Sequence, residues 1–432
     1  MDLTVRGKVF TNEVFQDCCI GIKDGKIVDI KKILKGKEHI DFGNKLILPA
    51  GVDIHVHFRD PGMTHKEDFS TGSMAAAFGG ISCVFDMPNT IPQTTTLPAL
   101  SDKITSAGKK SYVDFGVYAG ITNNNTNNIE FLAKRCSGFK IYLGSTTNAL
   151  KLDKKNLRAA LQSLSKTDKI VLFHAEDDEL LSKNKGKETN VVDHLRFRPS
   201  ICEETSIRDV IRASQGLNVK SHICHVSSIE SLEILKNRQK NISFGITPHH
   251  SLLSTEKTVG CQTFYKVNPP IRTGFDKESL FNALKNGMAD VLESDHAPHT
   301  KDEKDADFDE APAGLPGVET MYPLFLYLAK KEMISYKTLI SLMCKRPAEL
   351  LNVQKGSIEV GKDADFIVVD IKEESRVRPD KLHSKCGWTP FEDWHAIFPT
   401  HVFVRGEKLI ENHGIQVKQG FGRFVGDLWT KN

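Results

Sequence analysis

The chain has 432 residues, enough to bury a large core and to hold more than one domain. Its apolar fraction of 39% and charged fraction of 26% are those of an ordinary soluble globular protein, and a net charge of +3 is too small to mark a nucleic-acid or membrane surface. No apolar run is long enough to cross a bilayer, and the N-terminal MDLTVRGKVFTNEVF lacks the apolar segment of a secretory signal. Nine cysteines, an odd number without a C-x-x-C pair, suit reduced thiols in a cytoplasmic protein. Cys18, Cys19, Cys83 and Cys224 lie in apolar runs and read as core.

In chain order, residues 1–50 read as short strands joined by turns. Leu3–Val5, Lys8–Phe10, Cys18–Ile22 and Lys26–Ile30 are strand-like, with Lys23-Asp24-Gly25 as a tight hairpin turn. From residue 51 strands alternate with helices. The expected strands are Gly51–His57, Ser82–Met87, Tyr112–Val117, Phe139–Leu143, Ile170–His174, Ser221–Val226, Ile242–Thr247 and Asp290–Asp295. Helix-like segments lie between them at 66–78, 127–136, 155–164, 203–215, 229–237 and 277–286. Strands return with Ala364–Asp370 and with Val402-Phe403-Val404 before an Arg405-Gly406 turn. Eight alternating units in about 300 residues predict an α/β fold, a (β/α)8 TIM-like barrel whose active site lies at the C-terminal ends of its strands. The barrel is expected over 51–354, and residues 1–50 with 355–432 are expected to form a small β-sandwich domain. A doubly wound open sheet is the alternative, and no Gly-x-Gly-x-x-Gly or Walker-type loop favours it.

Histidines at i and i+2 of a strand share a face. His55 and His57 at the end of the first barrel strand can therefore ligate one metal ion, and Arg59, two residues on, would bring a cation to that face. Alone, such a pair could be incidental. Lys140 on the fourth strand, His174 on the fifth, His225 on the sixth and Asp295 on the eighth repeat the pattern where the barrel places its catalytic rim. Lys140 is the odd member, because an ammonium in an apolar strand is costly unless paired or neutralised. Two readings stay open for it. Its head can snorkel to solvent, or a neutral amine can react with CO2 to give a carbamate whose two oxygens bridge two metal ions.

These residues, in this order, resemble the amidohydrolase superfamily and, within it, the dihydroorotases. The resemblance covers essentially the whole chain. It rests on His55-x-His57-x-Arg59-Asp-Pro, Asp86-Met-Pro-Asn89-Thr90, the Gly138-Phe-Lys140-Ile-Tyr-Leu run, Phe173-His174-Ala-Glu, His225-Val-Ser and Thr247-Pro-His-His250. It extends through Val267-Asn268-Pro-Pro, Asp295-His-Ala-Pro-His299 and Ala313-Gly314-Leu-Pro-Gly, to a Gly356–Phe366 segment like the strand pair that returns to the small β domain. The resemblance implies two zinc ions, one on His55, His57, Asp295 and carboxylated Lys140, the other on His174, His225 and the same carbamate. Some dihydroorotases carry an aspartate in place of this lysine. The implied reaction interconverts carbamoyl aspartate and dihydroorotate, the ring-closing step of pyrimidine synthesis, through a metal-bridging hydroxide with Asp295 as general acid and base.

The resemblance also implies that Arg59, with Asn89 and His299, holds the substrate carboxylate. His57, Asn268 and the backbone of Ala313 and Gly314 would contact the ring. The structural alternatives are an Arg59–Asp60 ion pair, a turn role for Asn89 and a hinge at Gly314. Hydantoinases, dihydropyrimidinases and allantoinases share the metal site, but their preferred rings lack the carboxylate; a metal-free structural relative would have lost ligands that are all present here. Such dihydroorotases form dimers or associate with aspartate transcarbamoylase. His249 and His250 read as supporting residues, and Lys301–Asp307 as an exposed polar loop, with a lid as the second reading.

Overall fold

A computed structural model describes residues 1–144, 150–258 and 260–426. Eight parallel strands follow one another in chain order: Gly51–Val56, Ile81–Asp86, Asp114–Gly120, Gly138–Tyr142, Val171–His174, Ser221–Ile223, Ile242–Ile246 and Val291–Leu292. Every residue in them is buried, as in a parallel sheet covered on both faces. The last strand is very short. The ring closes where His57 N donates to His296 O at 2.8 Å, beside a parallel bridge between Val56 and His296. This is the expected barrel.

Several helices start where a side chain caps them. Helix Phe69–Phe78 begins three residues later than expected because Asp68 accepts from Thr71 N at 2.9 Å. Helix Ser200–Ser214 begins three residues earlier, directly after Pro199. The segment expected at 127–136 is a 3-10 turn, Thr126–Asn128, running into a short helix, Ile129–Ala133.

Both chain ends build a second eight-stranded sheet. Its order is Gly414–Ile415, Glu407–Glu411, His401–Val404, Phe366–Val369, Glu38–Pro49, Leu3–Thr11, Val14–Lys23 and Lys26–Lys31. Alternation sorts its residues. Ile47, Phe366 and Val368 join the unit's own core with Val5, Ile20 and Phe403, while Leu46, Leu48, Ile367 and Val369 join the core shared with the barrel. Leu3–Thr11 is one strand rather than two. Gly7 absorbs a register shift between Arg6 and Lys8, where a Cβ would lie 2.8 Å from Ile47. Lys355, fully buried, fastens this unit to the third barrel strand through Asp114 at 2.7 Å and Asp365 at 2.7 Å.

The stretch expected as a polar loop is partly helical. Thr300 and Glu303 form a capping box for helix Lys301–Lys304, and Lys304 is completely buried.

Candidate metal centre and cleft

The C-terminal ends of the barrel strands open on a cleft of about 620 Å³. All twelve residues singled out above line it: His55, His57, Arg59, Asn89, Lys140, His174, His225, Asn268, Asp295, His299, Ala313 and Gly314. A larger groove of about 1370 Å³, lined by Phe264, Phe281, Trp388 and Trp394, lies elsewhere and shares none of these twelve residues. Chemistry, not size, selects the site.

Neighbouring acceptors set the imidazole orientations. His55 Nδ1 lies 3.3 Å from Glu293 Oε2, so Nε2 faces the cleft, 3.2 Å from Asp295 Oδ1. His57 Nδ1 lies 2.6 Å from Asn89 Oδ1, which turns its Nε2 to the same carboxylate oxygen at 3.2 Å. His174 is turned the other way. Its Nε2 meets Glu176 Oε2 at 2.8 Å and its Nδ1 lies 3.1 Å from His225 Nε2. Burial pushes His57 down to about 3, His174 below its ordinary value and His225 well below. Neutral imidazoles are the form that ligates metal.

Two carboxylates stand behind the rings, Glu176, quoted in the sequence motif without a role, and Glu293, which the sequence reading passed over. Glu293 also accepts from His225 N at 2.6 Å, and Gly245 leaves room for it, since a Cβ there would lie 2.3 Å from Glu293 Oε1. Glu176 is gripped by Arg198 at 2.6 and 3.1 Å. Burial alone would raise Glu176, but Arg198 and His174 outweigh it and hold the carboxyl below its ordinary range. The signal was present, since Glu176 and Glu293 stand at i±2 from His174 and Asp295, the same spacing that marks His55 and His57.

Three site residues reach the cleft by turns rather than on straight strands. Arg59, His225 and Asp295 have φ of 60°, 40° and 44°, although none is glycine. Their strands stop at Val56, Ile223 and Leu292. Such left-handed backbone at three converging positions is the strain that functional sites store.

Lys140 does not snorkel, because it is 0% exposed. Its Nζ lies 3.1 Å from Cys224 Sγ and 3.5 Å from His55 Nε2, and it makes no ion pair among the described residues. Cys224 is thus core, as expected, and also a neighbour of the site. Side-chain ligand atoms of His55, His225 and Asp295 lie within 4.8 Å of one another, and His225 Nδ1 is buried without a hydrogen-bond partner among the described residues. Imidazoles, a carboxylate and a buried amine converging in this way fit a zinc-type cation. A second acidic cluster, Asp114, Asp363 and Asp365, is taken up by Lys355.

The other end of the cleft is cationic. Arg59 lines it without an ion pair among the described residues, its Nη2 3.2 Å from His299 Nε2, while Lys66, whose Nζ lies 3.2 Å from His299 Nδ1, is paired with Glu303 at 2.9 Å. Burial, with Arg59 adding repulsion, pushes His299 down to about 3 and so keeps it neutral. Asp60 does not pair with Arg59; it pairs with Lys110 at 2.7 Å. Asn268 Oδ1 is buried without a partner among the described residues, and Gly314, with φ of 151°, brings the backbone so close that a Cβ would lie 2.4 Å from Ala297 O. His249 and His250 do not line the cleft. His250 ties Thr247 Oγ1 to Pro269 O at 2.8 and 3.0 Å.

A closed (β/α)8 barrel with histidines, an aspartate and a buried lysine at its strand ends defines a class of hydrolase, and the amidohydrolase family matches residues 46–409. The chain belongs to that family. Among its relatives, the dihydroorotase of Thermoplasma volcanium is 40% identical, covering 98% of each chain. The dihydroorotase of Methanosarcina acetivorans is 37% identical over 97% of this chain and 94% of its own. Among solved structures, an L-hydantoinase (dihydropyrimidinase) from Arthrobacter aurescens superposes with a TM-score of 0.94 at 26% identity, covering 98% of this chain and 99% of its own.

Proposed function

We propose that this protein is a cytoplasmic dihydroorotase, catalysing the reversible cyclisation of N-carbamoyl-L-aspartate to (S)-dihydroorotate and water in pyrimidine synthesis. Relatives of that name match along nearly the full length. The observation that carries the choice of substrate is Arg59, a buried cation that lines the cleft beside His299 and the metal-type residues and makes no ion pair among the described residues. A ring carboxylate needs such a cation; a neutral ring does not. In this reading the catalytic domain spans 51–354 and the small domain 1–50 with 355–432.

His55, His57, Asp295 and a carboxylated Lys140 would hold one zinc ion, and His174, His225 and the same carbamate the other. The carbamate forms when neutral Nζ attacks CO2, making an N–C bond and releasing one proton. Zinc bound there supplies Lewis acidity and lowers the pKa of water from about 15.7 towards ~7. Asp295 moves the proton. In ring opening its carboxylate takes a proton from the attacking water as the C–O bond forms, then gives it to the ring nitrogen as the C–N bond breaks. In ring closure it takes the proton from the ureido nitrogen as the C–N bond forms and gives it to the oxygen that leaves as water when the C–O bond breaks. Arg59 grips the ring carboxylate. Asn89, whose Oδ1 is engaged by His57, would donate its NH2 to the same group, and His299 completes the contact. His57, Asn268 and the backbone of Ala313 and Gly314 line the ring.

The overall shape favours a second reading, a hydantoinase-type cyclic amidase. Hydrolysis of dihydroorotate, hydantoin and allantoin in parallel, with metal content measured on the same preparation, decides between them. Dihydroorotate should be strongly preferred. Equal or faster turnover of the neutral rings would overturn the proposal.

A further inference from the structure

Lys304 is a lysine with 0% exposure that lines no part of the cleft, yet its three hydrogen bonds lead to the cleft wall. Its Nζ donates to Pro312 O at 2.9 Å, Lys266 O at 3.1 Å and Gly314 O at 3.2 Å. Three acceptors match the three hydrogens of an ammonium. It makes no ion pair among the described residues, and its remaining neighbour is the face of Trp388, 5.6 Å from Nζ. Burial, reinforced by repulsion from Lys266 and Arg59, pushes Lys304 down to about 7. A lysine held at that cost, without a counter-charge, has its stabilisation in the three carbonyls.

Those carbonyls belong to two separate pieces of the wall. Lys266 precedes Val267-Asn268, and Pro312 and Gly314 flank Ala313. The pieces also touch directly, since Gly314 N donates to Lys266 O at 2.9 Å. Lys304 ends the helix that follows His299, and Trp388 Nε1 donates to His299 O at 2.8 Å. One ammonium therefore ties together the segments carrying Asn268, Ala313, Gly314 and His299.

We infer that Lys304 is a positioning residue for substrate recognition, a clamp that holds the Lys266–Asn268 and Pro312–Gly314 segments at the spacing that fits the substrate ring. It rests on the dihydroorotase reading and adds to it a residue that touches neither substrate nor metal. Without the clamp the two segments separate and ring contacts weaken, while the metal-type residues on the opposite strands stay in place.

The test is steady-state kinetics on the zinc-loaded wild type and on Lys304→Met, Lys304→Gln and Lys304→Arg, with metal content and orotate binding measured alongside. Lys304→Met should raise KM for dihydroorotate about tenfold or more and weaken orotate binding in parallel, with kcat and metal content close to wild type. Lys304→Arg, which keeps the charge and the donors, should recover most of the loss. If Lys304→Met does not fold, the same split is read between Lys304→Gln and Lys304→Arg. An unchanged KM, a loss confined to kcat, or a loss of metal would overturn the clamp. A wild type inactive on dihydroorotate but active on neutral rings would overturn the dihydroorotase reading itself.

Discussion

Glu293 Oε2 lies 3.3 Å from Nδ1 of His55, and that contact decides which nitrogen of the ring faces the cleft. The same carboxylate accepts from His225 N at 2.6 Å, so one buried acid braces two of the metal-type histidines. Glu293→Gln can present an amide donor to Nδ1 and turn the tautomer round. Zinc affinity should fall about 10–100-fold, read by titration against a competing chelator. Unchanged affinity would remove Glu293 from the site's support.

Asp295→Ala should lower kcat for dihydroorotate by at least about 100-fold in both directions, because Asp295 Oδ1 lies 3.2 Å from Nε2 of both His55 and His57, where the proton must be moved. A fully active variant would refute the proton-transfer role.

Lys140 is buried, with its Nζ 3.1 Å from a sulfur, Cys224 Sγ, and 3.5 Å from an imidazole nitrogen, His55 Nε2. Native mass spectrometry of the zinc-loaded protein should find one added CO2, absent from Lys140→Met. Metal-loaded wild type with an unmodified lysine would sink the carbamate.

Arg59→Met should raise KM for dihydroorotate by about 100-fold, the cost of leaving a carboxylate without its buried cation. Hydrolysis of hydantoin, which has no carboxylate to lose, should change far less. Equal losses on both substrates would assign Arg59 to the fold instead.

Glu188 gives a pH prediction. Burial opposes its charge, but His194 at 2.9 Å and Lys266 at 3.1 Å prevail and lower its pKa from 4.5 to about 2. The folded value lies below the unfolded one, so its contribution is complete above about pH 4.5 and is lost as pH falls towards 2. Melting temperature followed across that window should drop less steeply in Glu188→Gln than in wild type. Identical slopes would show that the pair does not contribute.

His55, His57, His174, His225 and Asp295 were legible because each stands at the end of a barrel strand, and Lys140 because it interrupts an apolar one; a polar residue in either place is conspicuous in a linear reading. Glu176 and Glu293 were less so, because a carboxylate beside a ligand looks like any solvated acid until its partner is known. Those partners, Arg198 and His55, are 22 and 238 residues away. Lys304 was misread for the same reason. In the run Lys301–Asp307 it looks like one charge among many, and only packing against Trp388 and three carbonyls distinguishes it.

By itself the sequence determined the order of strands and helices, the barrel class and the residue types at its rim, because period and polarity are local properties of a chain. Tertiary structure decided what those properties cannot encode. Glu293, Asn89 and Glu176 orient the rings, Lys140 is sealed from water, and Asp60 is drawn to Lys110, leaving Arg59 at the cleft. Each of these is a contact between distant segments, and the free energy of burying a charge depends on which segment arrives to meet it.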